Sequence, residues 1–251
     1  MFNPGLKRRA KRALDRQLEY QQRKALKIRG EEGQLIARMI QRSTAVRDKL
    51  QQVQPIPADA RVLEVGSGAH GLIFYFEAAT RVGVDPLAEH YAQLFPAWQG
   101  RAQTVAAGGE KLPFDDSSFD VVLCDNVVDH AEGPRQIVRE ISRVLAPGGL
   151  LYFTVNVHHL FYHLAASAHA AWRAAGVPIE ITPFADHTVH LTLPAARRLF
   201  EGTPLHIVSE CDTVHEVKRG EAIRVRHMGD HLKRLFFKNA LYEVIAVRDS
   251  N

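Results

Sequence analysis

The run Val62-Leu63-Glu64-Val65-Gly66-Ser67-Gly68-Ala69-His70-Gly71 concentrates the chemistry of this chain. Gly66 and Gly68 let the backbone turn tightly and approach a ligand without a side chain in the way. A helix expected over Ala69–Ala78 would aim its positive N-terminus at a carboxylate or phosphate. Glu64, two residues before the first glycine, has no use in phosphate binding but suits a ligand that carries an amino group. Asp85 lies 19 residues beyond Gly66, at the end of the next apolar run. A carboxylate there can accept both hydroxyls of a ribose, and it can also cap a helix starting at Pro86.

Histidine supplies the proton-transfer candidates. Seven of the 13 fall between residues 130 and 190. His130 follows the fourth strand candidate, and His158 and His159 follow the fifth, at the sheet edge where crevices form. Each could act as a general base, and each could equally be a structural residue at a loop or helix start. His159 and His163 are spaced i, i+4, and Asp186, His187 and His190 form a second group. No HExxH and no cysteine pair accompanies them, so no metal site is expected. Cys124 and Cys211 are too few for a disulfide framework, which fits a reducing compartment.

The elements that must hold these residues alternate. Apolar strand candidates are Arg61–Val65, Arg81–Val84, a weaker Gln103–Ala107, Phe119–Cys124 and Leu150–Val155. Pro134–Leu145 is helical by its period and stops at Pro147-Gly148-Gly149. Short apolar strands separated by helices predict a parallel, doubly wound α/β sheet. After it come a helix over Val157–Gly176, a short one over Pro194–Phe200, strands over Leu205–Glu210 and Leu241–Val247, and a helix over His227–Lys238.

At this point a resemblance emerges. The chain resembles the class I S-adenosylmethionine-dependent methyltransferases of the ubiquinone-methylase-like, small-molecule branch. Glu64–Gly68 resembles the first motif and Val84-Asp85 the second. Glu110-Lys111-Leu112-Pro113-Phe114 through Phe119-Asp120 is similar to the acid–x–Leu-Pro-Phe signature. Asp129-His130 and Arg143–Gly149 resemble the next blocks, all in order over about residues 58–156. The resemblance implies a Rossmann-like, mostly parallel seven-stranded sheet with its last strand antiparallel, and S-adenosyl-L-methionine as cofactor. It further implies that Glu64 holds the methionine amino group and that Gly66, Ser67 and Gly68 approach the methionine end. Asp85 would take the ribose, Pro86 and Leu87 the adenine face, and Gly109 and Glu110 the adenine edge. Cys124, Asp125 and Asn126 would line the methionine and sulfonium. Two positions depart from the pattern: His70 stands at the third glycine, and Gly108 replaces an Asp that reaches the adenine amino group.

Charge is uneven. Residues 1–30 hold ten Lys/Arg against Asp15 and Glu19, a net of +8 in a chain whose total is +4. The sequence divides into a basic helical extension, 1–55, and a cofactor-binding domain, 56–251, with insertions at about 157–193 and 212–239. The extension predicts helices over about 5–29 and 34–53. The first carries an apolar stripe opposite most of its basic residues. It suits a solvated helix lying over the domain and capping the cofactor, or peripheral contact with an anionic membrane. Nucleic acid is the less favoured partner, because no stacking aromatics accompany the charge. No run of about 18 apolar residues is present, and the basic start lacks the apolar core, roughly 7–15 residues, of a signal peptide. The expectation is a cytoplasmic enzyme, peripheral at most to the inner membrane face. It would methylate an organic acceptor, small or linked to a lipid or glycan, with O-methylation favoured. The rival readings are an NAD(P)-dependent oxidoreductase and a non-catalytic adaptor that keeps the fold.

Overall fold

The computed structural model describes residues 4–27, 32–174, 189–219 and 239–250. Two helices, α1 (Pro4–Lys27) and α2 (Glu32–Val53), precede strand β1 (Arg61–Val65). Then come β2 (Thr80–Val84), α3 (Ala88–Leu94), α4 (Pro96–Gln99), β3 (Gln103–Val105), β4 (Phe119–Asp125) and α5 (Pro134–Val144). The remainder is β5 (Leu145–Val157), α6 (Leu160–Ala174), α7 (Leu193–Arg197), β6 (Leu205–Asp212), α8 (Val214–Arg219) and β7 (Ala240–Arg248). The expected helix at His227–Lys238 and the Asp186–His187 group lie outside the described residues.

The seven strands form one sheet in the order β3-β2-β1-β4-β5-β7-β6. All pairs from β3 to β5 are parallel, and β7 runs antiparallel to both β5 and β6. Chain order reverses between β1 and β4, so the ligand crevice belongs at the carboxyl ends of those strands. The central strand β1 is buried from Val62 to Val65, with Glu64 its one buried acid, as parallel strands covered on both faces are. Ile137, Val138, Ile141 and Val144 of α5 bury the helix face that the 3.6 period marked. β5 begins at Leu145 rather than Leu150, because the Pro147-Gly148-Gly149 stretch is carried as an irregularity opposite Phe119–Val121.

One expected element is absent. In place of a helix over Ala69–Ala78 there is a single 3-10 turn, Leu72–Phe74. Leu72, Ile73, Phe74 and Phe76 are all fully buried. A surface α-helix would turn one of these apolar side chains to water, so the segment works as a plug and has no helix N-terminus to offer. The extension closes the plug: Val46 and Leu50 of α2 join its cluster, and the Ser43 hydroxyl donates to Leu72 O (3.1 Å).

α2 also meets a polar row on the sheet. Asp125, Thr154, Glu243 and Cys211 are adjacent in register across β4, β5, β7 and β6. Arg42 and Lys49, seven residues apart and so on one helix face, pair with the first and third of these. Arg42 Nη2 lies 2.6 Å from Asp125 Oδ2, and Lys49 Nζ lies 2.5 Å from Glu243 Oε1. Part of the apolar stripe of α1 is likewise engaged. Leu14, Leu18 and Ala25 pack on Ala69, Leu87, Tyr91, Phe95 and Trp98.

Candidate cofactor site

Gly66 and Gly68 both have positive φ, +72° and +55°. The turn is tied to the end of β2, since Gly66 N and Ser67 N both donate to Val84 O (2.7 and 3.0 Å). The two glycines answer different needs. A Cβ on Gly66 would overlap the Val127 methyl groups, whereas one on Gly68 would meet nothing nearer than Gly66 O at 4.0 Å. Gly66 permits packing between the loops after β1 and β4. Gly68 leaves an open cradle beside them. Ser67 is buried with its Oγ toward Gly83, so only its backbone faces the turn.

Asp85 stands beside that cradle. Its Oδ2 accepts from Gly68 N (3.0 Å) and its Oδ1 from Leu87 N (2.8 Å). It therefore fixes the turn and the approach to α3, which begins at Ala88 rather than Pro86 with Leu87 at its N-cap. Burial raises its carboxyl above the usual range, against the pull of these two donors. Pro86 is exposed and Leu87 buried beside it.

Glu64 is 2% exposed and lies under the plug. Its two oxygens accept from Leu72 N (3.1 Å) and Ile73 N (2.9 Å). Burial, helped by Asp125, pushes the carboxyl up to about 8; the two N–H donors and Arg42 oppose this but do not outweigh it. Asp125, at the end of β4, accepts from Arg42 and from the Thr154 hydroxyl (2.7 Å). Asn126 follows with φ +58°, and its Oδ1 accepts from Asn156 N (3.2 Å) and Nδ2 (2.6 Å). Cys124 differs from expectation: strand alternation turns its side chain into the core at 0% exposure, so only its backbone borders the crevice.

On the β3 side, a Cβ on Gly109 would stand 2.8 Å from Val65 Cγ1, so this backbone is pressed onto β1. Glu110 Oε1 accepts from Glu132 N (3.1 Å) and Gly133 N (3.4 Å). The Leu112-Pro113-Phe114 block is held by α5. Arg143 donates to Phe114 O (2.8 Å) and Leu112 O (3.1 Å), while Glu140 accepts from Leu112 N (2.9 Å). That motif thus braces the crevice wall.

The three histidines fare differently. His130 ends a 3-10 turn, Val128–His130, with an exposed ring whose Nε2 lies 3.8 Å from Oδ1 of the fully buried Asp129. His158 is 1% exposed, stacked on Tyr162 (5.2 Å between centroids) and 5.0 Å from the His190 ring. His159 Nδ1 accepts from Phe161 N (3.2 Å), the role of a helix-start residue at α6. Among the described residues, no group of three His, Cys, Asp or Glu is placed to hold a metal. His70 lies edge-on to Phe95 (4.6 Å) and Trp98 (4.9 Å), and burial with Lys24 nearby pushes its pKa down to about 4. It is a neutral packing residue that joins the glycine turn to α3 and α4.

Sequence reasoning missed Arg42, Thr154 and Asn156. Nothing in α2 marks Arg42 apart from other surface arginines, because its partner is 83 residues away.

The residues present fit S-adenosylmethionine. The open face of Gly68 adjoins one carboxylate suited to a ribose, Asp85; the buried Glu64 carboxyl can ionise against an ammonium placed beside it, and Asp125 stands at the end of β4 for a sulfonium.

The family described as Methyltransferase domain matches residues 63–153. An uncharacterized methyltransferase of Mycobacterium tuberculosis is 36% identical over 104 residues, 40% of this chain and 41% of that protein. The chain thus spans about two fifths of the length of the curated relatives it matches. Among solved structures, the YcgJ protein of Bacillus subtilis superposes with a TM-score of 0.54 at 18% identity, covering 80% of this chain and 96% of the other. The geranyl diphosphate C-methyltransferase of Streptomyces coelicolor gives 0.56 at 14% identity, covering 82% and 79%. The domain match over residues 63–153, the methyltransferase relatives and the shared fold support a class I S-adenosylmethionine-dependent methyltransferase.

Proposed function

We propose that this chain transfers a methyl group from S-adenosyl-L-methionine to an organic acceptor. The observation that carries the reading is the convergence of Glu64, the Gly68 cradle and Asp85 at the switch point of the sheet. When bound, the cofactor supplies an electrophilic methyl on a sulfonium. The protein then needs mainly to align an acceptor with it and keep water out. Asp85 holds the ribose, Glu64 the amino group, and Asp125 with the backbone at Cys124 and Asn126 lies along the methionine end.

For a hydroxyl acceptor a base helps, and His130 is the favoured one. It is exposed, with the carboxyl of the buried Asp129 3.8 Å from its Nε2. His158 and His159 are better explained by packing and capping. The acceptor reading includes an apolar portion, because α6 turns Leu160, Phe161, Leu164 and Trp172 outward next to the end of β5. A lipid- or glycan-linked acceptor with a methylated oxygen fits that surface. Contact with an anionic membrane through α1 would be mainly electrostatic, since Leu14, Leu18 and Ala25 of its apolar stripe are already packed on the domain. Among the described residues no helix is long and apolar enough to cross a membrane.

Calorimetric titration with S-adenosylhomocysteine, with NADH in parallel and Asp85→Asn as control, tests the cofactor. Micromolar binding lost in the variant and absent for NADH is expected. Binding of NADH alone would overturn the reading.

A further inference from the structure

We propose that Lys24 of α1 and Arg38 of α2 form a phosphate site at the rim of the crevice, which takes an anionic end of the methyl acceptor. The inference rests on the methyl-transfer reading above and adds a charge to the acceptor.

The two helices meet over the glycine turn. Leu18 and Ala25 of α1 and Leu35 and Ile36 of α2 pack on one cluster, which includes Ala69 and Tyr91. Lys24 adjoins Ala25 and is half-buried there. It is near enough to His70, in the glycine turn, to act on that ring's protonation, and near enough to Arg38 to feel its charge. Arg38 follows Leu35 by three residues, so the two share a helix face. Its Nε donates to Gln34 O (3.3 Å), which occupies the inner nitrogen of the guanidinium. One further turn along, Arg42 lies 2.6 Å from Asp125 at the methionine end.

Other cations of α2 are paired. Arg42 has Asp125, Arg47 has Glu77 (3.3 Å) and Lys49 has Glu243. Among the described residues, Lys24 and Arg38 meet no carboxylate. Drawing an ammonium partly out of water beside a second cation is unfavourable, and both effects pull Lys24 below its usual pKa. An oxyanion between the two offsets both costs. A phosphate suits the pair better than a carboxylate, because it carries up to about two charges at neutral pH. Its oxygens match the arginine fork, with the lysine as a point charge. At the end of β5, α6 turns Leu160, Leu164 and Trp172 outward. An acceptor that meets both surfaces is an amphiphile, with phosphate on the extension and hydrocarbon on α6.

The test titrates inorganic pyrophosphate, without metal ions, into the full chain saturated with S-adenosylhomocysteine. One site is expected, with acetate bound roughly tenfold more weakly or less. Lys24→Gln and Arg38→Gln should each weaken pyrophosphate about fivefold or more, with S-adenosylhomocysteine affinity unchanged. Arg23→Gln makes the same charge change on the exposed face of α1, where Arg23 Nε donates to Glu19 O. It should bind pyrophosphate as the wild type does. If Lys24→Gln fails to fold, Arg38→Gln, at an exposed position, carries the test. An equal loss in Arg23→Gln would overturn the site in favour of diffuse attraction to a basic helix. Acetate bound as tightly as pyrophosphate, or no pyrophosphate bound to the loaded wild type, would overturn it too. Parallel loss of S-adenosylhomocysteine in the Lys24 and Arg38 variants would assign the two cations to the cofactor's own carboxylate and likewise overturn it. Failure of the wild type to bind S-adenosylhomocysteine would instead overturn the cofactor reading.

Discussion

Cofactor binding should release close to one proton at neutral pH, and Glu64 should be its source. The carboxyl stands at about 8 in the free protein because it is buried, so at pH 7 about nine molecules in ten carry it protonated. A methionine ammonium alongside favours the ionised form and lowers such a group by roughly 1–3 units. At the upper end of that range, about 0.9 proton leaves per site at pH 7. Affinity then rises with pH by up to about tenfold per unit until pH 8, and levels off above it. Titration with S-adenosylhomocysteine at pH 7 in phosphate and in Tris would measure this, because the heat changes with the buffer's ionisation enthalpy in proportion to protons released. Glu64→Gln should remove the buffer dependence. Tight wild-type binding with equal heats in both buffers would refute the reasoning, as would the same proton release from Glu64→Gln. The sign extends to stability. A carboxyl raised from 4.5 to about 8 favours the folded state while protonated. Its contribution is full below pH 4.5 and is lost as pH rises toward 8, at up to about 1.4 kcal/mol per unit.

Other perturbations separate the roles of neighbours. Gly66→Ala should cost about 2–4 kcal/mol by thermal or urea unfolding, from backbone strain and collision with Val127. Gly68→Ala should cost only about 1–2 kcal/mol, for the strain alone, yet weaken S-adenosylhomocysteine binding at least tenfold by filling the cradle; equal behaviour of the two variants would contradict the division between them. Arg42→Gln should alter stability by less than about 1 kcal/mol, since its side chain is half exposed. It should also raise the ratio of sulfonium S-adenosylmethionine to neutral S-adenosylhomocysteine affinity several-fold, because a positive charge leaves the crevice. Glu243, held below the usual carboxylate range by Lys49 and the Tyr152 hydroxyl (2.8 Å), stabilises the fold above its ordinary pKa and loses that contribution as pH falls. Glu243→Gln should therefore cost about 1 kcal/mol at pH 7, with the gap to wild type closing in acid.

The sequence revealed the strands and the motif loops because both are local. β1 matches its expected bounds at both ends, and β4 and α5 do so to within a residue, since each is a short apolar run or a clean 3.6 period with punctuation. The plug after the glycine turn was misjudged for the converse reason. Leu72–Phe76 has enough apolar residues for a helix, and only tertiary burial on every side, with Glu64 taking the N–H groups of Leu72 and Ile73, makes it a 3-10 turn. Glu64 and Asp85 stand out in the sequence through their spacing from the glycines. Their competing attachments to backbone N–H groups do not, because those donors come from the fold. The side chain of Cys124 illustrates the same limit at finer scale: the resemblance set it with Asp125 and Asn126 at the end of the fourth strand, but strand alternation turns its side chain into the core.

The two cations of α2, set two helical turns apart, act as a ruler laid across the sheet. Sliding the helix by one turn would misplace both from their carboxylates at once, so the extension has a single seat. Removing it would strip the cover from the hydrophobic plug and leave Asp125 and Glu243 without their opposing charges. The line between residues 55 and 56, clear in composition, is therefore not a seam in the fold. The smallest unit expected to fold and bind ligand begins with α2, and a chain cut just before β1 should be recovered as aggregate.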